Sequence, residues 1–306
     1  MFQQSSPQRQ LNIAVFGDVH GHLRLMFQLA RLWQLAHGSF LDGILACGDL
    51  GYFPDLSVLD KATRRYVRDD PEEAGFARFF LWPEPLERDP LMDKILLGPA
   101  GEPNTVRCPV IWCHGNHEDF IALEKATGSA VLRAVDVYHR LFWLRSGHVI
   151  THAGLRLAAL GGGPELAENE APPPREHPLK RVREKDCWRL AGESVDILMS
   201  HVAPLGLGGE AGQWGSGLVR DAVERLQPRF HFFAHHRQPV PAGVIGRTRC
   251  YWLNDVAFDR HARGLDQPLE KGCLGVLTWP DPKRAQFTVI EEDWLRGVTS
   301  RGWRWL

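Results

Sequence analysis

The sequence of 306 residues has no Cys-x-x-Cys pair, no long apolar run and a formal charge of only −1. Each absence removes a class of explanation. Without paired cysteines there is no thiolate zinc site or dithiol redox motif to build on. Cys47, Cys108, Cys113, Cys187, Cys250 and Cys273 instead read as reduced, structural side chains, several of them inside apolar runs. No stretch approaches the roughly 18 apolar residues of a membrane span. The opening MFQQSSPQRQ lacks the apolar segment of a secretory signal. The expectation is a cytoplasmic protein with no membrane partner. A balanced charge gives no general attraction to nucleic acid, so any polyanion needs a local basic patch. There is no internal repeat and no linker that separates two domains.

What is present is a repeated pattern of apolar run followed by a turn. Leu11 to Phe16 ends in Gly-Asp, and His22 to Ala36 carries apolar residues near helical spacing. Gly43 to Cys47 again ends in Gly-Asp, which predicts a parallel βαβ unit with Asp18 and Asp49 as neighbours at one sheet edge. From 52 to 107 the pattern loosens into charged helical pieces and Pro-rich connections, read as an excursion over the surface. Pro109 to Cys113 resumes the sheet, GNHEDF opens a helix, and strands are expected near Leu141–Leu144 and Leu155–Leu160. Residues 164–185 form a polar, Pro-rich loop too long for a simple connection. VDILMS and RFHFFA read as buried strands with a helix from about Ser216 to Leu226 between them. The tail, through CYWL, LGVLTW and QFTVI, reads as a second sheet packing on the first. Residues 11–306 are thus expected to form a single domain after a polar tail of 1–10.

The candidate ligands all lie just beyond apolar runs: NIAVFG before Asp18, GILACG before Asp49, PVIWCHG before Asn116, DILMS before His201 and FHFFA before His235. In open α/β sheets the carboxyl ends of strands are where ligands bind, because the loops there converge on one crevice. Taken singly, a Gly-Asp turn, an Asn at a helix start or a lone His has an ordinary structural reading. Together, carboxylate, carboxamide and imidazole donors suit two divalent cations such as manganese, iron or zinc, with Asp49 able to bridge them. Two such ions can acidify a water held between them and stabilise a departing oxygen. The reaction implied is hydrolysis of a phosphate ester.

At these residues the sequence resembles the calcineurin-like metallophosphoesterases: GDVHG at Gly17 to Gly21, GD at Gly48 and Asp49, GNHE at Gly115 to Glu118, SH at Ser200 and His201, and AH at Ala234 and His235. The resemblance implies an α/β fold, a four-layer α/β/β/α sandwich of two mixed sheets flanked by helices. It implies two divalent ions, manganese first with iron, zinc or nickel as alternatives. One would rest on Asp18, His20 and Asp49, the other on Asp49, Asn116, His201 and His235, with His117 as general acid. The sequence departs from the family's Gly-His-x-His string in having Arg237 at the last position. A guanidinium cannot ligate a cation, so the first ion has fewer protein ligands, and Arg237 becomes a candidate for gripping substrate phosphate.

THAGL at Thr151 to Leu155 partly echoes the Ser/Thr protein phosphatases and makes His152 a rival to His201. His201 is preferred because it directly follows a buried strand and because GHVITHAGLRLAALGGG reads as two strands joined by a tight turn; GDLGYFPD, which lacks the second motif of those phosphatases, weakens that resemblance. The segment from DILMSH to FHFFAHH is also similar to the lariat debranching enzymes, which would favour a nucleotide or nucleic-acid substrate. Lys61, Arg64, Arg65 and Arg68, or Lys180, Arg181, Arg183 and Lys185, could then contact phosphates. Of the 11 tryptophans, Trp214 is the candidate for touching substrate, with His236 beside it. Trp294, Trp303 and Trp305 read as covering a sheet edge or a dimer contact. His114, Glu118 and Asp119 flank the site as candidate orienters of the ligands. The expectation is a hydrolase of phosphomonoesters or phosphodiesters; the alternatives are a protein phosphatase, a nucleotide hydrolase or a non-catalytic scaffold that reuses the fold.

Overall fold

The computed structural model describes residues 9–81, 89–167, 170–207, 212–236, 240 and 242–306. β1 (Leu11–Phe16) is followed by α1 (Leu23–His37), which stops where Gly38 takes a left-handed φ of 54°. β2 (Gly43–Cys47) pairs parallel to β1 with Ala46 opposite Phe16, the expected βαβ unit. Three short helices follow, α2 (Lys61–Tyr66), α3 (Gly75–Phe79) and α4 (Pro90–Leu97). β3 (Val110–Cys113) returns parallel to β2. Then come α5 (Phe120–Thr127), capped by Asp119, β4 (Leu132–Ala134) and β5 (Leu141–Leu144). β6 (His148–His152) and β7 (Leu155–Leu160) form an antiparallel hairpin. The remaining elements are α6 (Glu184–Arg189), β8 (Ile197–Ser200), α7 (Gly217–Leu226), β9 (Phe230–Phe233), β10 (Gly243–Ile245), β11 (Thr248–Trp252), β12 (Leu274–Trp279) and β13 (Gln286–Val289).

Among the described residues these strands make two mixed sheets, ordered β13-β12-β1-β2-β3-β5-β4 and β10-β11-β9-β8-β7-β6. Alternation along each strand decides the layers. Ile13, Val15, Leu45 and Ile111 meet Leu157, Ile197, Met199 and Phe232 between the sheets. Ala14, Phe16, Ile44 and Trp112 point the other way, under Met26, Phe27 and Ala30 of α1. Leu160, Leu198 and Phe233 likewise pack under Val219, Ala222 and Val223 of α7. The result is an α/β/β/α sandwich, two mixed sheets with helices on both outer faces. No helix of the described residues is long and apolar enough to cross a membrane.

Two expectations are corrected. The tail does not build a sheet of its own: β12 pairs antiparallel with β1 and carries β13 with it, while β11 pairs parallel with β9 in the other sheet. Strands β11 and β12 match β2 and β1 in length, and long-range pairing with β9 and β1 assigns them to the two existing sheets. Nor is the segment from 52 to 107 a surface excursion throughout. Phe76, Phe80, Met92, Ile95 and Leu96 are fully buried in the cluster that covers α1, each contributing roughly 1.5–3 kcal/mol. Trp303 is buried there too, and its carbonyl accepts from Gln28 Nε2 of α1 at 3.0 Å. Trp305 stays exposed.

Charge pairs fasten this segment to α1. Arg24 binds Glu72 and Asp89, Arg304 meets Glu72 at 3.0 Å, and His22 Nε2 lies 3.0 Å from Asp70 Oδ2. Burial opposes a charge on His22, but the hydrogen bond and charge of Asp70 outweigh it and raise its pKa above 6.5. Burial likewise opposes a charge on Asp70, yet His22 holds that carboxyl down to about 2, against an ordinary 3.8. The His22 contribution is therefore complete below pH 6.5 and lost as pH rises through its raised pKa. The Asp70 contribution is complete above 3.8 and lost as pH falls through about 2. Asp70→Asn is expected to lower the melting temperature more at about pH 5.5 than at about pH 9. Equal losses at both values in thermal denaturation would show that the pair carries no linked stability.

Candidate metal centre

Parallel pairing in both sheets puts the carboxyl ends of β1, β2 and β3 opposite those of β8 and β9. Asp18 and Asp49 each lie two residues past their strands, Asn116 three past β3, His201 directly after β8 and His235 two past β9. Two glycines allow the approach. Gly48 has φ 129°, and a Cβ there would fall 2.1 Å from both Asp18 Oδ1 and His201 Nδ1. A Cβ on Gly115 would fall 2.0 Å from Asp49 Oδ1. His20 and His235 hold left-handed backbones, φ 44° and 68°, a strain that persists only where the surroundings impose it.

Asp18 is the hub. Its Oδ1 accepts from the Asp49 N–H at 3.0 Å and lies 3.1 Å from His201 Nδ1, while Oδ2 accepts from the His235 N–H at 3.0 Å. Asp49 Oδ1 accepts from the His117 N–H at 2.7 Å. Its Oδ2 faces His201 Nε2 at 3.6 Å and His20 Nε2 at 4.0 Å. His201 Nε2 is also 2.8 Å from Asn116 Oδ1, and the His235 ring centroid lies 4.4 Å from that of His201. Oxygens thus face both nitrogens of His201, although a neutral imidazole donates through only one.

Asp18 and Asp49 are each only 2% exposed, and no Lys or Arg pairs with either among the described residues. Buried carboxylates without a Lys or Arg partner are found paired with other cations or on metals. The oxygen and imidazole donors here suit divalent ions, and the ligand atoms of Asp18, Asp49 and His201 lie within 4.8 Å of one another. The imidazoles respond to the same charge. Burial disfavours a proton on His20, but Asp49, Asp255 and Asp18 outweigh it and carry its pKa up to about 9. His201 is raised in the same way by Asp18 and Asp49 against its burial. Burial also opposes a charge on Asp49, but His201 and His20 hold its pKa down. His235, depressed by burial and by His201, falls to about 3. A divalent cation would take over this compensation and favour neutral imidazoles.

His117 stands apart from the cluster by its partner. Its Nδ1 is 2.6 Å from Asp60 Oδ2, and Asp60 also caps α2 by accepting from the Thr63 N–H at 2.9 Å. Burial works against a charge on His117, yet the Asp60 bond and the charge of Asp49 raise its pKa. Just beyond Asp60, Lys61, Arg64, Arg65 and Arg68 line a groove of about 400 Å³ with Leu59. Their i, i+3, i+4, i+7 spacing puts them on one face of α2 and its continuation. Glu118 accepts from the N–H groups of Leu50 at 2.8 Å and Tyr52 at 2.5 Å, fixing the turn after Asp49. His114, buried, accepts from Trp143 Nε1 at 3.2 Å.

The structure therefore brings together Asp18, His20, Asp49, Asn116, His117, His201 and His235. His236 accepts from the Ala203 N–H at 3.2 Å and stacks on Trp214 with centroids 6.0 Å apart. Arg237 lies outside the described residues. His152 is on β6, with Nε2 at 2.8 Å from the Asp42 carbonyl, at the opposite end of the strands from the cluster. Sequence reasoning missed Asp60 and Asp255. Asp60 carried only a helix-cap signal, an Asp three residues before a Thr at the start of an amphipathic stretch. Asp255 carried no motif at all, yet its carboxylate reaches within 4.8 Å of ligand atoms of both Asp18 and His20.

The family model described as calcineurin-like phosphoesterase matches residues 11–239. UPF0046 protein K07C11.7 of Caenorhabditis elegans is 35% identical over 88 residues, 27% of this chain and 29% of that protein, so the match spans under a third of the curated relative. Among solved structures, TT1561 of Thermus thermophilus is 14% identical with a TM-score of 0.49, over 92% of this chain and 99% of its own. A novel phosphatase from Mycoplasma pneumoniae is 10% identical with a TM-score of 0.44, over 94% and 96%. The close approach at Gly115 gives a direct check on the site. If the cluster holds a divalent cation, Gly115→Ala should push Asp49 aside and weaken binding of that ion by about tenfold or more, read by calorimetric titration. Unchanged affinity would mean that Asp49 does not face the ion.

Proposed function

The chain belongs to the calcineurin-like phosphoesterase family, and on that footing we propose that it hydrolyses phosphoester bonds with two divalent metal ions, manganese the first candidate. The observation that carries this reading is the pair of buried carboxylates, Asp18 and Asp49, ringed by imidazoles and met by no Lys or Arg among the described residues. In this reading Asp18, His20 and Asp49 hold one ion, and Asp49, Asn116, His201 and His235 the other. Bound there, the ions supply positive charge for the phosphoryl oxygens and a water made acidic enough to act as nucleophile at neutral pH.

The protein's own residues do the rest. Asp60 accepts the Nδ1 proton of His117, which leaves Nε2 as the position that gives a proton to the departing oxygen. Because Asp60 and Asp49 raise the His117 pKa against the effect of its burial, the imidazole stays protonated at higher pH than a free one. The backbone N–H of His117, bonded to Asp49 Oδ1, ties the acid to the metal-holding carboxylate. The groove of Lys61, Arg64, Arg65 and Arg68 suits further phosphates of a nucleotide or nucleic-acid substrate.

His117→Ala should lower kcat by about 10²- to 10⁴-fold while leaving manganese stoichiometry intact. Asp60→Asn should cost less and move the alkaline limb of the kcat–pH profile to lower pH, since removing the carboxylate lowers the imidazole pKa. A profile that stays in place would remove Asp60 from the acid's environment. Arg64→Glu combined with Arg65→Glu should raise KM about tenfold for nucleoside triphosphates and oligonucleotides, and less for p-nitrophenyl phosphate. Equal changes for all three would dissociate the groove from substrate.

A further inference from the structure

We propose that Asp255 is a ligand of the first metal ion, supplying from outside the family motifs the protein donor that Arg237 cannot provide. The inference rests on the metal-dependent reading above. Four observations place the residue. The chain leaves β11 and runs back across β1, where the Val256 N–H donates to the Asp18 carbonyl at 2.7 Å. The fit is close: a Cβ on Gly17 would strike the Asn254 carbonyl oxygen at 2.2 Å, so only glycine before Asp18 lets this segment seat. The Asn254 N–H is in turn held by the Gly272 carbonyl at 2.9 Å, which anchors the segment from its other side. From that seat the Asp255 carboxylate comes within 4.8 Å of ligand atoms of Asp18 and His20.

That carboxylate has no competing structural role. Its N–H is satisfied by Asn254 Oδ1 at 2.9 Å, but no donor among the described residues bonds its side chain, and no Lys or Arg pairs with it. A carboxylate held beside that of Asp18 with no hydrogen-bond donor is unfavourable unless a proton or a metal ion joins them. With Asp255 included, the first ion is held by three carboxylates and one imidazole, the second by Asp49, a carboxamide and two imidazoles. The oxygen-rich first set favours a hard ion such as manganese over zinc, while the second accepts either. The site is thus asymmetric in chemistry but not short of a protein ligand.

The test is calorimetric titration of the full chain with manganese(II), then with zinc(II), using wild type, Asp255→Asn and Asp255→His. Asn keeps the size of the side chain, and thermal denaturation of the metal-free proteins controls for folding. Wild type should bind two manganese ions. Asp255→Asn should weaken one of the two by about tenfold or more and leave the other, and Asp255→His should restore the weakened site with its preference moved toward zinc. Two ions bound by Asp255→Asn with wild-type affinity would overturn the role of Asp255 and leave the metal-dependent reading standing. Wild type that binds no ion would overturn both.

Discussion

Two carboxylates, Asp18 and Asp49, are buried side by side with imidazoles around them and no Lys or Arg paired to either among the described residues. Removing a charge from water is costly unless something of opposite sign accompanies it, and almost every local feature of the site is an answer to that cost. Backbone N–H groups of Asp49, His117 and His235 point at the two carboxylates. Four of the imidazoles stand around them. The glycines at 48 and 115 leave the space through which these groups approach. Hydrogen bonds add no net charge, whereas protons on His20 and His201 or divalent cations do, and cations leave the imidazoles neutral.

The constraint also explains why both sheets are needed. Asp18, Asp49 and Asn116 come from one sheet, His201 and His235 from the other. Asp18 is bonded to groups of both, so the site closes only when the two inner faces pack. The core between the sheets, with Val15, Leu45 and Ile111 against Ile197, Met199 and Phe232, sets the separation of the ligands. A packing change there would be transmitted to the metal site through rigid strands.

Much of this was legible in the sequence where local signals agree. Asp18, Asp49 and His201 follow buried strands at short offsets, and parallel pairing places such offsets at one edge whatever the loops do. The hairpin of β6 and β7 and the helices α1 and α7 were readable from local apolar patterns and the turn between the two strands. The tail was not, because β11 and β12 have similar apolar patterns and only long-range pairing assigns one to each sheet. Charged residues between 52 and 107 hid the burial of Phe76 and Met92, since their ionic groups pair with Arg24 and Arg304 rather than face water. Asp60 and Asp255 reach the site through tertiary contacts, α2 folding over His117 and the β11 exit crossing β1. No spacing along the chain records such contacts.

Crystals grown with manganese and measured at its absorption edge would test the central claim most directly, because anomalous scattering locates the metal without reference to activity. Two peaks are predicted, one beside Asp18 and His20 and one beside Asn116, His201 and His235, with Asp49 next to both. No peak at these residues, with a Lys or Arg side chain turned in to neutralise Asp18 and Asp49 instead, would contradict it.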